Sequence, residues 1–385
     1  MQKGEAKKRA IALAGGGPAA GLHIGALAAL EEAGIDFKVF CLSCVGAWVG
    51  IVYNTRTPGG RAGKTLEYFQ KYCFRDDRSY EWFPVNRGFA PDFASMWRAW
   101  ASFPFSAERR WDSLWPRAEE VQGSMQRWFE LFGKPPFGRE FNYWMLNDFL
   151  AVNPWTRYMT ALMFKSEVKG LSKIYYKDSE ALCEAFRRKL SDPDMPEIYH
   201  NAWRLPTKDT KGRMQIFHNR AAPPDPRSKD YLEISPQSLC ACSALPFIEE
   251  NVTFDDGVEY SEGALVDTVN FANLLRDHRD LDEVWVSRIV DESQVKPAHT
   301  LGGALANLPM QFAAEVGEDD IKLFRQHLLN QSAMRPRVVE VPIHPDTEVT
   351  FDWSLKNLKR GFDEGKAAVE VLLRFDPQLK ERFVQ

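Results

Sequence analysis

The chain lacks any apolar run approaching the roughly eighteen residues that a membrane-spanning helix needs, so no helical span is expected. It also lacks an excess of either charge. With 49 basic and 53 acidic side chains the formal net charge is −4, which gives no reason to expect a nucleic-acid partner. Internal repeats and low-complexity stretches are missing. Cysteine is sparse, at 6 in 385 residues, and Cys240 and Cys242 stand too close in sequence for an ordinary disulfide or metal clip. Reduced thiols and a cytoplasmic setting are therefore expected. The histidines show no ligand spacing, so neither a metal nor a cofactor is expected. Lys3, Lys7, Lys8 and Arg9 precede an apolar run that resembles a signal peptide. However, Gly15-Gly16-Gly17-Pro18 interrupts it early and no small-residue cleavage pattern follows.

What is present fits a globular protein: 44% hydrophobic and 26% charged residues, in a chain long enough for one large domain or two ordinary ones. The organising stretch is 10–50. An apolar strand Ala10-Ile11-Ala12-Leu13-Ala14 runs into three glycines, a helical pattern follows over 21–34, and a second apolar strand ends in a sharp turn around Cys44. Short apolar runs that stop at glycine and alternate with helices predict a parallel sheet. In such sheets chemistry sits at the strand-to-helix turns.

The remaining pattern predicts a helix over 63–73, then helices over 138–151, 155–165 and 179–190. Strands are expected over 197–203 and 213–218, with a loop at Pro223-Pro224-Asp225-Pro226. Ser235 ahead of Pro236 reads as an N-cap and first helical residue. Asp255-Asp256-Gly257 reads as a hairpin turn. A strand at 281–289, helices at 301–316 and 319–331, a strand at 337–343 and a helix at 353–373 complete the reading. Seven of the twelve tryptophans fall between residues 80 and 144, interleaved with phenylalanine, arginine and proline. One reading is a helical subdomain with an aromatic core. Another, compatible with it, is a cap over 76–170 that faces an apolar substrate and offers a surface for peripheral membrane contact.

The glycine run admits two chemistries. Gly15-x-Gly17-x-x-Ala20 loosely matches a dinucleotide fingerprint, yet the acidic residue expected at the end of the second strand is replaced by Cys41-Leu42-Ser43. The alternative is an oxyanion hole, with N–H groups of the glycine loop beside a nucleophile. The turn Leu42-Ser43-Cys44-Val45-Gly46 supports the second. In a G-x-S-x-G elbow a small residue stands two after the nucleophile, and Gly46 stands two after Cys44. Ser43 would be flanked by Cys41 and Val45, and does not fit. A thiol at a helix N-terminus beside amides is expected to ionise more readily, an effect that a nearby carboxylate opposes.

Gly15-Gly16-Gly17, the His23-Ile24-Gly25-Ala26-Leu27 helix, the elbow followed by Ala47-Trp48-Val49-Gly50, and the late Glu262-Gly263-Ala264 together resemble the patatin-like phospholipase family. The resemblance covers about 9–53 and 235–270. It implies a three-layer α/β/α sheet, with the aromatic insertion as a cap on a single domain spanning 1–385. It further implies lipid acyl hydrolysis by a Ser–Asp dyad without a catalytic histidine. Carried across, the nucleophile falls on Cys44 and the acid on Glu262, with Gly15, Gly16, Gly17 and the Val45 amide as oxyanion donors. The substrate implied is an acyl lipid or acyl thioester, hydrolysed or transferred to an acceptor. This sequence departs from the pattern in five places. It has a thiol nucleophile, Leu42 for the first elbow glycine, an acid one methylene longer, and Ala19-Ala20 where the glycine loop usually carries a basic residue. The Asn-x-Pro after the acid is also replaced, by Thr268-Val269-Asn270. A catalytically inactive lipid- or partner-binding protein is the alternative reading. Asp267 is a rival acid, and His23 is expected to be structural.

Overall fold

The computed structural model describes residues 7–105, 115–172, 188–220, 231–291, 294–295, 297–330, 336–341 and 351–376. It divides into two compact units, Met1–Ala90 with Ile174–Gln385, and Pro91–Lys173.

The first unit is built on a nine-stranded sheet. Its strands are β1 (Arg9–Leu13), β2 (Val39–Leu42), β3 (Glu197–Arg204), β4 (Arg213–His218), β5 (Leu232–Glu233), β6 (Val252–Thr253), β7 (Glu259–Glu262), β8 (Glu283–Ser287) and β9 (Arg337–Glu340). The order is β9-β8-β1-β2-β3-β4-β5, with β7 on β3 and β6 on β7. Strands β9, β8, β1, β2 and the start of β3 are mutually parallel. The pairs β3/β4, β3/β7 and β6/β7 are antiparallel.

The helices are α1 (Ala20–Glu32), α2 (Val45–Asn54), α3 (Arg61–Tyr72), α4 (Pro236–Cys242), α5 (Leu301–Asn330) and α6 (Leu355–Phe375). Alternation along β1 sends Ile11 and Leu13 into one core, which the apolar faces of α1, α2, α3 and α6 complete. Ala10, Ala12 and Ala14 face the other core, where Phe271, Leu274 and the Ile321, Phe324 and Leu328 turns of α5 pack. Both faces of a mostly parallel sheet are thus covered, giving the α/β/α layering.

Two helices approach each other at backbone contact. A Cβ placed on Gly25 of α1 would stand 1.9 Å from the Phe362 carbonyl oxygen, and one on Gly365 of α6 would stand 2.2 Å from the Leu22 carbonyl oxygen. Gly21 and Gly361 line the same seam. Only glycine allows this spacing.

Ser235 caps α4, accepting the Ser238 N–H at 3.0 Å, and the Ser238 hydroxyl accepts the Ser235 N–H in return. The turn at 255–257 joins β6 to β7. The two helices expected at 301–316 and 319–331 are one continuous helix, α5, with Pro309 inside it. Gly317 did not end the helix. Its bare Cα lets the chain pass Arg288, whose Cδ would lie 3.2 Å from an added Cβ. Most of the expected helix at 179–190 and the loop at 223–226 lie outside the described residues.

The second unit is helical, with segments at Phe93–Ser102, Ala118–Glu130, Arg139–Trp144 and Pro154–Lys165. Its interior holds Phe103 against Ala161, Tyr158 and Leu162. Trp144 is buried and donates to the Ser124 carbonyl at 2.9 Å, and Arg127 pairs with Asp148. Many other large apolar side chains of this unit are exposed, among them Phe93, Trp97, Phe129, Phe132, Trp155 and Phe164. Among the described residues, no helix is long and apolar enough to cross a membrane.

Candidate active site

Three turns at the carboxyl ends of neighbouring strands make the site. After β1 the chain enters the glycine loop, after β2 the elbow, and β7 ends at Glu262. Register explains why the third belongs with the first two. β3 outlasts β2: its last pairing with β2 is His200 with Leu42, and two residues later Ala202 pairs with Glu262. β7 therefore takes the place that β2 vacates where the elbow leaves the sheet.

At the elbow Cys44 has φ 48° and ψ −123°, a conformation that costs a non-glycine residue about 1–3 kcal/mol. The surroundings impose it. The Ser43 N–H donates to the Leu13 carbonyl at 3.1 Å, and the Ala47 N–H to the Cys44 carbonyl at 3.0 Å. Gly46 lies so close to β1 that an added Cβ would meet the Leu13 carbonyl oxygen at 2.2 Å. Ser43 points away from the turn, donating its hydroxyl to Asn201 Oδ1 at 2.8 Å and lying fully buried.

The glycine loop touches both other turns. A Cβ on Gly15 would stand 3.3 Å from Cys44 Cβ and 2.8 Å from Ala264 Cβ. The Gly15 N–H donates to the Thr268 carbonyl at 3.2 Å, so this member of the expected oxyanion set has no free proton to offer. Among the described residues the Gly16 and Gly17 N–H groups meet no acceptor. Both residues have positive φ, 156° and 50°, which glycine tolerates. The Val45 amide lies against the Cys44 sulfur.

Cys44 and Glu262 are brought together, close enough for each to shift the ionisation of the other. They are only 8% and 6% exposed. Burial pushes the Glu262 carboxyl up to about 7, with the neighbouring Cys44 opposing. Burial also pushes the Cys44 thiol well above its usual range; Glu262 and Cys242 add to the rise and the Val45 amide opposes it. The expectation that helix-end amides would lower this thiol is thus reversed. Desolvation of the thiolate outweighs the single amide that faces the sulfur. The pair is a protonated thiol beside a carboxyl that titrates near neutrality.

Asp267 meets the elbow through its backbone carbonyl, which accepts the Ser43 hydroxyl at 3.2 Å, while its carboxyl is engaged with its own loop. Its Oδ1 accepts the Asn270 N–H at 2.6 Å, and burial pushes it and its neighbour Asp320 upward together. Asp320 in turn accepts the Thr268 and Val269 N–H groups. These carboxyls organise the loop that follows Glu262. His23 is fully buried, with Nδ1 2.8 Å from the Ser287 hydroxyl and Nε2 2.9 Å from the Ala14 carbonyl, and burial lowers it to about 4. The neutral ring ties α1 to the ends of β1 and β8. Among the described residues no group of three or more histidine, cysteine or acidic side chains could hold a metal ion. Asp255 and Asp256 stay in their turn, where Asp256 accepts the Val258 N–H at 3.0 Å.

Sequence reasoning missed Cys242, whose sulfur accepts the Cys44 N–H at 3.0 Å. No local pattern marks it, because 198 residues separate the pair.

A family model described as patatin-like phospholipase matches residues 11–275, a span that contains the glycine loop, the elbow and Glu262. Among solved structures, that of VipD from Legionella pneumophila is similar at 12% identity over 95% of this chain and 67% of that one. Its TM-score is 0.36. A comparison with curated proteins finds no match. With more than half of its length matched, the chain belongs to the patatin-like phospholipase family, a family of lipid acyl hydrolases.

Proposed function

We propose that the protein is an acyl hydrolase or acyltransferase that works through a covalent Cys44 acyl-enzyme. The observation that supports this most is the Cys44–Glu262 contact at a strained elbow, with the glycine loop packed on the Cys44 side chain. In the proposed reaction the Glu262 carboxylate takes the thiol proton as sulfur attacks the acyl carbonyl carbon. The carbonyl oxygen becomes an oxyanion facing the Gly16, Gly17 and Val45 amides. Its collapse expels the alcohol or thiol leaving group, which receives the proton from Glu262. Water or another acceptor then attacks the thioester, delivering its own proton to Glu262, and frees the thiol. A carboxyl that titrates near 7 suits both directions of transfer.

The substrate in this reading is an acyl lipid or acyl thioester with an apolar chain. The aromatic-rich insertion is the lipid-facing part of the chain, and its exposed tryptophans and phenylalanines suit contact with a membrane surface. Cys41, Cys44, Cys73, Cys240 and Cys242 are in no disulfide, which suits a cytoplasmic setting.

Mass spectrometry of the intact protein after mixing with fatty-acyl aryl esters and acyl thioesters tests the proposal. An acyl mass on Cys44 in the wild type, absent from Cys44→Ala, is expected. No adduct and no turnover across short and long chains would favour the second reading, a lipid-binding derivative. The burial that raises the Cys44 thiol is the observation on that side.

A further inference from the structure

Both members of the proposed pair are held by the same three consecutive residues, at the carboxyl end of α4. The Cys242 sulfur accepts the Cys44 N–H at 3.0 Å and lies 4.0 Å from the Cys44 carbonyl oxygen. The Ser243 hydroxyl accepts the Trp48 indole N–H at 3.0 Å, which pins the first turns of α2, the helix that leaves the elbow. The Ala244 carbonyl accepts the Glu262 N–H at 3.1 Å and the Ser261 hydroxyl at 3.1 Å.

These contacts meet specific needs. The Cys44 N–H lies beyond the end of β2 and outside the sheet ladder, and the surroundings are buried. A buried N–H without an acceptor costs about 1–3 kcal/mol. A sulfur, large and soft, reaches it from a neighbouring helix. The Ser243 hydroxyl satisfies its own donor on the Leu239 carbonyl at 3.2 Å, so its lone pair is oriented toward Trp48. The Ser235 cap and Pro236 define where α4 starts, and hence where its last residue, Cys242, falls.

We propose that Cys242, Ser243 and Ala244 form the positioning segment of the acyl-transfer centre, fixing how far the Cys44 sulfur stands from the Glu262 carboxyl. The proposal rests on the reading of Cys44 and Glu262 given above. The segment touches no reacting atom. It acts through the backbone of the nucleophile, the helix behind it and the backbone of the base, so its loss should change chemistry rather than substrate capture.

The test compares Cys242→Val, Cys242→Ser and Ser243→Ala with the wild type. Two readouts are used: kcat and KM for a fatty-acyl aryl ester, and the rate of Cys44 alkylation by iodoacetamide against pH, with the site located by peptide mass spectrometry. Cys242→Val, which removes the acceptor at similar volume, is expected to lower kcat by about tenfold or more with KM within about twofold, and to shift the pH profile of alkylation. Cys242→Ser, whose hydroxyl can accept the same N–H, is expected to recover most of the loss. Ser243→Ala, the milder change, is expected to follow Cys242→Val in direction. Folded Cys242→Val and Ser243→Ala with wild-type kcat and wild-type alkylation profiles would overturn the proposal, as would Cys242→Ser behaving no better than Cys242→Val. If the wild type forms no acyl adduct, the reading of the enzyme fails by itself. The alkylation profiles still decide whether this segment sets the state of the Cys44 thiol.

Discussion

Leu42 and Gly50 are fitted to one another: a Cβ on Gly50 would stand 2.5 Å from Leu42 Cδ2. The leucine that replaces the first elbow glycine thus finds its room on the helix behind the elbow, where a residue without a side chain faces it. Gly50→Ala is expected to destabilise the protein by about 1–3 kcal/mol through overpacking. Adding Leu42→Ala should recover part of that loss, giving a non-zero coupling in a thermal double-mutant cycle. Strictly additive effects would show that the two positions do not share space.

Glu262→Gln addresses the carboxyl directly. Alkylation of Cys44 in the wild type should accelerate as pH rises through about 7, when Glu262 loses its proton and becomes a base. The glutamine variant should lack that step. Stability should change with the opposite sense. A buried acid raised from 4.5 to about 7 binds its proton more tightly in the folded state than in the unfolded chain. Its contribution is complete below pH 4.5, declines as pH climbs, and levels off above about 7. Urea denaturation at pH 5 and pH 8 should find Glu262→Gln gaining on the wild type at the higher pH, by up to about 3 kcal/mol. Equal differences at both values would contradict the assignment.

Adjacent residues at the elbow should behave differently. Ser43→Ala removes the donor to Asn201 Oδ1 and should cost about 1–3 kcal/mol in a thermal or chemical melt. Labelling of Cys44 should persist in that variant, while Cys44→Ala should lose the labelled peptide altogether. Loss of Cys44 labelling in a folded Ser43→Ala protein would point to the wrong residue of the turn.

How much of this was legible in the sequence follows from how local each signal is. The glycine loop, the elbow and Glu262-Gly263-Ala264 are short patterns, and the structure does bring Gly15, Cys44 and Ala264 into contact. The alternation of apolar runs with helices was enough for the parallel sheet, and the family resemblance supplied its three layers. What could not be read is set by distant partners. Cys242 meets Cys44 only after the sheet is assembled, and the burial that raises the thiol comes from the packed core as a whole. The Gly15 amide looks available until Thr268 arrives to bind it. The gap between the helices expected at 301–316 and 319–331 falls on Gly317; glycine disfavours helix interiors by about 1 kcal/mol, yet α5 runs through it.

The same substitution should act with opposite signs at two helical glycines. Gly25→Ala would drive a Cβ into the Phe362 carbonyl and should lower stability by about 2–3 kcal/mol or more. Gly63→Ala, in α3 with nothing within 4 Å, should raise it by about 0.5–1 kcal/mol. Melting temperatures of the two variants that move in the same direction would refute the account of the seam.

That seam also orders events during synthesis. The helix that leads away from the glycine loop packs at backbone contact on α6, far later in the sequence, so α1 stays uncovered on one side until residues 355–375 have emerged. A nascent polypeptide that already contains the loop, the elbow and Glu262 still lacks the support that sets them. The site becomes fully supported only after residues 355–375 have been made.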